Sequence, residues 1–181
     1  VRLSDGEGRY TACLSSQVGC AMGCAFCKTG TMGLVRNLEA GEIIEEFIQL
    51  EKLGEHITHV VFMGMGEPLA NFQEVMRAIT ELHREDGLNI SYRRITVSTC
   101  GLVPGIKRLT EVNIPIKLAV SLVSANDEVR SRIMKVNRSF PLSELKSALL
   151  TFQHHHDKRL TLEYCMLGGI NTSKESAEEL F

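Results

Sequence analysis

The chain has 181 residues, of which 44% are hydrophobic and 23% charged, and its formal net charge is −2. This composition is ordinary for a single soluble globular domain, does not indicate a nucleic-acid binder, and contains no apolar run near the roughly 20 residues of a membrane span. Six cysteines, and the acidic residues Asp5 and Glu7 where a signal peptide needs an apolar core, favour a cytoplasmic protein with metal or redox chemistry.

Short apolar runs and helical periodicities alternate along the chain. Residues 1–9 are polar and glycine-rich, which indicates a loop or an edge hairpin. Strands are predicted at residues 10–18, 59–63, 94–99, 116–122 and 159–167. Helices are predicted at residues 39–53, 71–83, 104–109, 126–134, 141–152 and 173–181. Most local basic residues, among them Arg130, Arg132, Lys135 and Arg138, are interpreted as solvated surface charge.

The alternation of strands and helices predicts an α/β fold with a parallel sheet covered by helices. We expect a partial, open (β/α) barrel of TIM type that is truncated after about five βα units, in one domain over residues 1–181. A doubly wound flat sheet is the alternative. In both folds function gathers in the loops after the strand C-termini, so we expect the motif-bearing loops to share one face.

A loop after the first predicted strand carries three cysteines in the pattern C-x3-C-x2-C: Cys20, Cys24 and Cys27. Thiolates favour iron–sulfur clusters, zinc and Cu(I), and this spacing lets one short loop aim three sulfurs at one cluster. A closed four-iron cluster normally has four cysteine ligands, so three would leave one iron free for another ligand. A structural zinc site with a fourth ligand from elsewhere and a set of buried free thiols are the alternatives.

A second motif, Gly-Met-Gly-Glu-Pro at residues 64–68, follows the second predicted strand. Its glycines let the backbone come close to a ligand, because they carry no Cβ. Glu67 can accept a hydrogen bond from an ammonium group. The alternative interpretation is an ordinary strand–helix turn with Glu67 in solvent.

The cysteine motif, with Phe26 before its last cysteine, resembles the radical S-adenosylmethionine (SAM) superfamily, and residues 64–68 resemble its "GGEP" element, which holds the SAM amino group. Further matching strings lie at residues 13–20, 29–30, 36–38, 41–43, 93–96, 98–99 and 164–171. Together they resemble the ribosomal RNA adenine methyltransferase family of radical SAM enzymes. Its members methylate carbon 2 of an adenine in large-subunit ribosomal RNA and, in some cases, an adenine in tRNA. Close relatives methylate carbon 8 instead.

The resemblance implies a barrel of radical SAM type with two cofactors, a 4Fe-4S cluster and SAM. The implied cluster ligands are Cys20, Cys24 and Cys27. The implied SAM contacts are Gly66, Glu67, Ser98, Ser121, Leu122 and Val123, with Phe26 beside the adenine. Reduction of the cluster would cleave SAM to a 5′-deoxyadenosyl radical, with an electron donor such as flavodoxin or ferredoxin. The implied substrate is ribosomal RNA, with tRNA for some members, and we expect a monomer.

Cys13, seven residues before the first cluster cysteine, matches the family's cysteine that helps to release a protein–RNA adduct. By its own residue type it is equally a small buried apolar side chain. The chain also departs from the family: no cysteine follows Cys165 to carry the methyl group, and Val123 stands where relatives usually have histidine. We therefore expect part of a longer protein, without the N-terminal accessory domain and the C-terminal strand. Carbon-8 methylation and a non-catalytic iron–sulfur module are the alternative functions.

Overall fold

Eight strands and six α-helices make up residues 1–156 and 160–180, the part of the chain that this computed structural model describes. The strands are β1 (Arg2–Ser4), β2 (Tyr10–Cys13), β3 (Gln17–Gly19), β4 (Leu34–Asn37), β5 (His59–Phe62), β6 (Ile95–Thr99), β7 (Lys117–Ser121) and β8 (Thr161–Glu163). The helices are α1 (Ala40–Glu51), α2 (Phe72–His83), α3 (Val103–Thr110), α4 (Asp127–Ile133), α5 (Leu142–His156) and α6 (Lys174–Glu178). Short 3₁₀ turns lie at Thr29–Thr31, Pro68–Asn71, Tyr92–Arg94 and Lys135–Arg138.

The main sheet has the strand order β1-β2-β5-β6-β7-β8. β1 pairs antiparallel with β2, and the remaining neighbours pair in parallel. The five parallel strands follow one another in chain order, without the reversal of order that defines a doubly wound sheet. The predicted α/β fold and its open, partial barrel are therefore confirmed.

The core lies between the sheet and the apolar faces of the helices. β7 buries Leu118, Ala119 and Val120 in succession, as expected of a strand that is covered on both faces. On α1, Ile43 and Phe47 are four residues apart and both buried, so one face of the helix packs against the sheet. Burying a side chain of this size contributes about 1.5–3 kcal/mol. This packing fixes the strand ends, which in turn position the loops after them.

The predicted first strand, residues 10–18, is in fact two strands in different sheets. β2 ends at Cys13, and β3 pairs antiparallel with β4 in a separate two-stranded sheet. An irregularity between Val18 and Gly19 requires glycine, because Gly19 has φ +80° and a Cβ there would lie 1.9 Å from the Gly33 carbonyl oxygen. The hairpin of β3 and β4 therefore brackets the cysteine loop at both ends.

Two C-terminal elements also differ in length from the prediction. α5 continues to His156, four residues beyond the predicted end. β8 covers only three residues of the predicted strand 159–167, whose first residue, like the predicted helix end at 181, lies outside the described part of the chain. Among the residues that the structure describes, no helix is both long and apolar enough to cross a membrane.

Candidate active site

A cavity of about 230 Å³ lies where the loops after β5 and β6 and the ends of β7 and β8 meet the cysteine loop. Eight residues predicted from the sequence line it: Cys20, Cys24, Phe26, Cys27, Gly66, Glu67, Ser98 and Ser121. They come from four separate stretches of the chain, and the common edge of the sheet brings them together. A larger groove of about 610 Å³ between α5 and β8 is mainly apolar and shares only Leu122 with the predicted set.

Three predicted residues do not line this cavity in the described structure. Leu122 faces the groove between α5 and β8. Val123 is buried in a small apolar cluster with Cys100 and Met134, and its backbone adopts φ 60°, which is strained for a β-branched residue. Cys13 ends β2 and is half-buried. Burial raises the pKa of its thiol.

The cysteine loop is held at a few backbone anchors. Cys20 N donates to the Gly33 carbonyl oxygen at 2.8 Å, which closes the loop across the β3–β4 hairpin. Ala25 N donates to the Ile133 carbonyl oxygen at 2.8 Å, which ties the middle of the loop to the end of α4. Between these anchors the loop folds so that all three thiols reach the cavity wall.

The three thiols form a donor set that suits an iron–sulfur cluster. All are free, and burial raises the pKa of Cys20 and that of Cys24, the latter to about 11. Cys20 and Cys24 are therefore thiols at neutral pH until a metal binds and displaces their protons. In the described residues no three histidine, cysteine or acidic side chains converge as the ligands of one metal ion. A zinc ion needs four ligands around one point, whereas a cluster takes its thiolates on separate irons, so the set fits a cluster better.

The glycines at residues 64–68 serve contacts within the protein. A Cβ on Gly64 would lie 2.7 Å from the Leu14 carbonyl oxygen, and one on Gly66 would lie 2.6 Å from Gln17 Cβ. Gly66 also has φ +104°, which side-chain-bearing residues rarely adopt. The glycines thus let this loop pack directly on the segment that leads into the cysteine loop. The sequence interpretation, close approach to a ligand, did not foresee this use.

Glu67 joins the loops after β5 and β6. Its side chain is 3% exposed, so the alternative that placed it in solvent is wrong. One carboxylate oxygen accepts from Cys100 N at 2.8 Å and the other from Leu69 N at 3.1 Å. Burial raises its pKa, and these hydrogen bonds act in the opposite direction. A carboxylate offers about four lone-pair positions, so Glu67 can still accept a bond from an ammonium group in the cavity.

Glu163, at the end of β8, is a cavity residue that the sequence interpretation missed. Its Oε2 accepts from Ser98 Oγ at 3.3 Å and from Ser121 Oγ at 3.4 Å, so it joins the ends of three strands. The available signal was its position near the C-terminal end of a predicted parallel strand, where functional residues gather.

Arg130 was interpreted as surface charge, and this is wrong, because it has no exposed surface at all. Its guanidinium donates to backbone carbonyl oxygens at the ends of β6 and β7: Cys100 at 2.7 Å, Ser121 at 3.2 Å and Leu122 at 3.0 Å. A further donor goes to Asn137 Oδ1 at 2.7 Å. No sequence signal identified this residue, since its acceptors are carbonyl oxygens at the ends of β6 and β7 and the Asn137 side chain, and no local pattern marks them.

Comparison with known proteins agrees with this arrangement. Residues 14–180 match the family model of the radical SAM superfamily, and the chain belongs to that superfamily. A probable dual-specificity RNA methyltransferase RlmN of Moorella thermoacetica is 48% identical over 97% of this chain and 51% of its own length. The dual-specificity RNA methyltransferase RlmN of Anaeromyxobacter dehalogenans is 51% identical over 95% of this chain and 48% of its own length.

A solved structure is similar as well. The crystal structure of a radical SAM methyltransferase from Sphaerobacter thermophilus matches with a TM-score of 0.95 and 45% identity, over 99% of this chain and 53% of that one. The chain therefore spans about half the length of the proteins it matches. The resemblance seen in the sequence is confirmed, and membership of the superfamily implies a 4Fe-4S cluster and SAM as the cofactors.

Proposed function

We propose that this chain forms the catalytic core of a radical SAM enzyme that methylates carbon 2 of an adenine in large-subunit ribosomal RNA, with tRNA as a second substrate. The observation that carries the proposal is the single cavity shared by three free thiols and the loops after successive parallel strands. Its RNA substrates are supported by relatives of about 50% identity whose names describe dual-specificity RNA methyltransferases. We expect it to act as a cytoplasmic monomer with flavodoxin or ferredoxin as electron donor.

In this proposal Cys20, Cys24 and Cys27 hold the cluster. When bound and reduced, the cluster supplies the electron that cleaves SAM and starts the radical chemistry. The chain's own contribution around it is shape and exclusion of water. The apolar side chains of Met22, Phe62 and Met134 line the same cavity and keep its wall dry.

The polar groups of the cavity then orient SAM. Glu67 accepts from the SAM amino group with a lone pair that its two backbone donors leave free. The remaining proposed SAM contacts are Gly66, Ser98, Ser121, Leu122 and Val123. The side chains of Leu122 and Val123 point to other parts of the molecule, and both of their backbone N–H groups donate to the Glu163 carbonyl oxygen, so neither is a free donor for SAM. Phe26, 37% exposed at the edge of the cavity, would cover the adenine.

Cys13 is assigned the release of the protein–RNA adduct. It is the last residue of β2, and the chain leaves this end of the strand to reach β3 and then the cysteine loop. Burial raises the pKa of its thiol, so it stays protonated and unreactive until the adduct approaches.

Cleavage of SAM tests the cluster assignment. Protein reconstituted with iron and sulfide under anaerobic conditions, then given dithionite and SAM, should yield 5′-deoxyadenosine, measured by chromatography. Cys24→Ala should lose both the cluster absorbance and this product. Cys165→Ala is the matched control, because Cys165 is exposed and does not line the cavity, and it should keep both. A Cys24→Ala protein with an intact cluster, or a wild type that binds only zinc, would show that the assignment is wrong.

The position of methylation needs a separate measurement. Because no cysteine follows Cys165 in this chain to carry the methyl group, the measurement uses a longer protein that contains this chain and supplies that cysteine. Mass spectrometry of a ribosomal RNA fragment and of tRNA, each incubated with that protein after reconstitution, should find 2-methyladenosine. Finding 8-methyladenosine would support the carbon-8 alternative. Product from ribosomal RNA alone would remove tRNA from the proposal.

A further inference from the structure

Arg130 is the largest fully buried side chain in the described part of the chain. Its four hydrogen bonds all go to neutral oxygen atoms, three of them backbone carbonyls and one the Asn137 amide. Within residues 1–156 and 160–180, no carboxylate lies within 4.0 Å of the guanidinium as an ion-pair partner. A guanidinium stays charged at any ordinary pH, so a full positive charge is buried here among neutral partners.

Two carboxylates around Arg130, Asp127 and Glu67, are both engaged elsewhere. Asp127 interacts electrostatically with Arg130, but its Oδ1 accepts from Asn137 Nδ2 at 2.8 Å and from Leu142 N at 2.9 Å. Glu67 lies on the opposite side of the Cys100 peptide, since it accepts from Cys100 N while Arg130 donates to the Cys100 carbonyl oxygen. A buried charge without a direct partner costs several kcal/mol. A negatively charged group that binds close to the guanidinium would reduce this free-energy cost.

The cysteine loop lies directly beside this charge. Arg130 is one turn before Ile133 on α4, and the Ile133 carbonyl oxygen accepts from Ala25 N, in the middle of the loop. Cys24 packs against the apolar cluster that contains Ile133 and Cys100.

We propose that Arg130 is the buried counter-charge of the iron–sulfur cluster and raises the cluster's reduction potential. The inference rests on the proposed function, because it needs a cluster on Cys20, Cys24 and Cys27. Three thiolates give the bound cluster a net negative charge, and the electron that a low-potential donor delivers adds one more. A nearby buried cation therefore stabilises the reduced cluster more than the oxidised one.

A redox titration of the SAM-free, reconstituted protein tests this proposal, with dithionite as reductant and electron paramagnetic resonance as the readout. Arg130→Gln removes the charge and keeps a side chain that can donate hydrogen bonds. At the wild-type midpoint we expect the ratio of reduced to oxidised cluster to fall at least tenfold, which is 59 mV for a one-electron couple. Arg138→Gln is the matched control, because it removes an exposed arginine from the neighbouring turn. In this variant the ratio of reduced to oxidised cluster should stay within twofold of wild type.

Two further variants separate charge from structure. Arg130→Lys keeps the charge and loses the planar fork, and Asn137→Ala removes one acceptor but leaves the arginine in place. Both should melt at lower temperature than wild type, and both should keep its potential. Equal potential shifts in Arg130→Lys and Arg130→Gln would overturn the proposal in favour of a purely structural role. If Arg130→Gln takes up no cluster, Arg130→Met takes its place as the variant without the charge: a potential below that of Arg130→Lys supports the proposal, and an equal one overturns it.

The outcomes also separate this inference from the proposed function. A wild-type protein that takes up no cluster contradicts both. A wild-type cluster that cleaves SAM, with a potential that does not respond to Arg130→Gln, contradicts only the role given to Arg130.

Discussion

Two neighbouring regions of the molecule are built differently. One is the inner frame, which we define as the buried polar side chains Gln17, Glu67, Asn71 and Arg130, each 4% exposed or less. Every one of them bonds to backbone atoms of another loop or strand end. The other region is the cysteine loop, residues 20–33, which is largely half-buried or exposed and includes Met32 at 57% exposure.

The difference shows how the site divides its tasks. The inner frame is held by hydrogen bonds and close packing between protein atoms, so we expect it to be preorganised. The loop has few internal hydrogen bonds and must be completed by what its thiols bind. Changes in the frame should therefore lower global stability, and changes in the loop should act locally.

Gly66→Ala should lower the free energy of unfolding the most. The new Cβ would lie 2.6 Å from Gln17 Cβ at a backbone with φ +104°. Positive φ and overpacking each cost about 1–3 kcal/mol, so we expect a loss of about 3 kcal/mol or more. Urea denaturation measures it. Gly41→Ala is the control, because it lies near the start of α1 with no atom within 4 Å of the added Cβ, and it should be neutral or slightly stabilising.

Asn71→Ala should have the next largest effect. Asn71 Nδ2 donates to the carbonyl oxygens of Ser16 and Leu38, both at 2.8 Å, and so holds the two ends of the hairpin segment to the loop after β5. Leaving buried carbonyls without a donor should cost about 2–3 kcal/mol in the free energy of unfolding. Gln49→Ala, an exposed amide on α1, should change the same free energy by less than about 0.5 kcal/mol. Equal losses in the two variants would mean that the frame carries no special stability.

Much of the fold could be predicted because it follows from local patterns. Apolar runs and helical periodicity gave the alternation of strands and helices, and the rule that parallel strands end on one edge gave the convergence of the motifs. The split of the first predicted strand was missed, because Gly19 turns the chain through a contact with Gly33, which is fourteen residues away and has no local signature.

The inner frame was the least predictable part, for a physical reason. Arg130 is a charged residue on a short helix, and its burial depends on carbonyl acceptors at the ends of β6 and β7 and on Asn137. Gly64 and Gly66 are typical of close approach, but the sequence could not say that the approaching groups are the protein's own Leu14 backbone and Gln17 side chain. Ligand residues within one loop can be predicted from their spacing in the sequence, whereas contacts between residues of different loops cannot.

Removing the cluster should sharpen the contrast between the two regions. In reconstituted protein we expect amide hydrogen exchange in residues 20–33 to be about tenfold slower than in apo-protein, because the cluster ties three points of the loop together. Exchange in β6 and β7 should stay within twofold, since their core is complete without the cluster. Hydrogen exchange with mass spectrometry measures both in one experiment. Slowing of similar size in β6 and β7 would mean that the frame is not preorganised.

The smallest expected effect lies where the loop leaves the cavity, at the ion pair of Arg36 on β4 with Glu42 on α1. Arg36 donates to both Glu42 oxygens, at 2.7 and 2.8 Å, and lowers the pKa of that carboxyl to about 2, with a further contribution from the Glu39 backbone. Because the folded pKa lies below the ordinary value of 4.5, the pair contributes fully above pH 4.5 and its contribution is lost as pH falls toward 2.

Carbon-detected NMR titration of the Glu42 carboxyl measures this shift directly. In Arg36→Gln the pKa should rise most of the way to its ordinary value, and the part that remains should be the share of the Glu39 backbone bond. Both side chains are largely exposed, so the pair should position the junction and add little to global stability. If the pKa of Glu42 is the same with and without the Arg36 side chain, this ion pair does not join the hairpin to α1. The cysteine loop would then be held to the rest of the protein by backbone contacts alone at this junction.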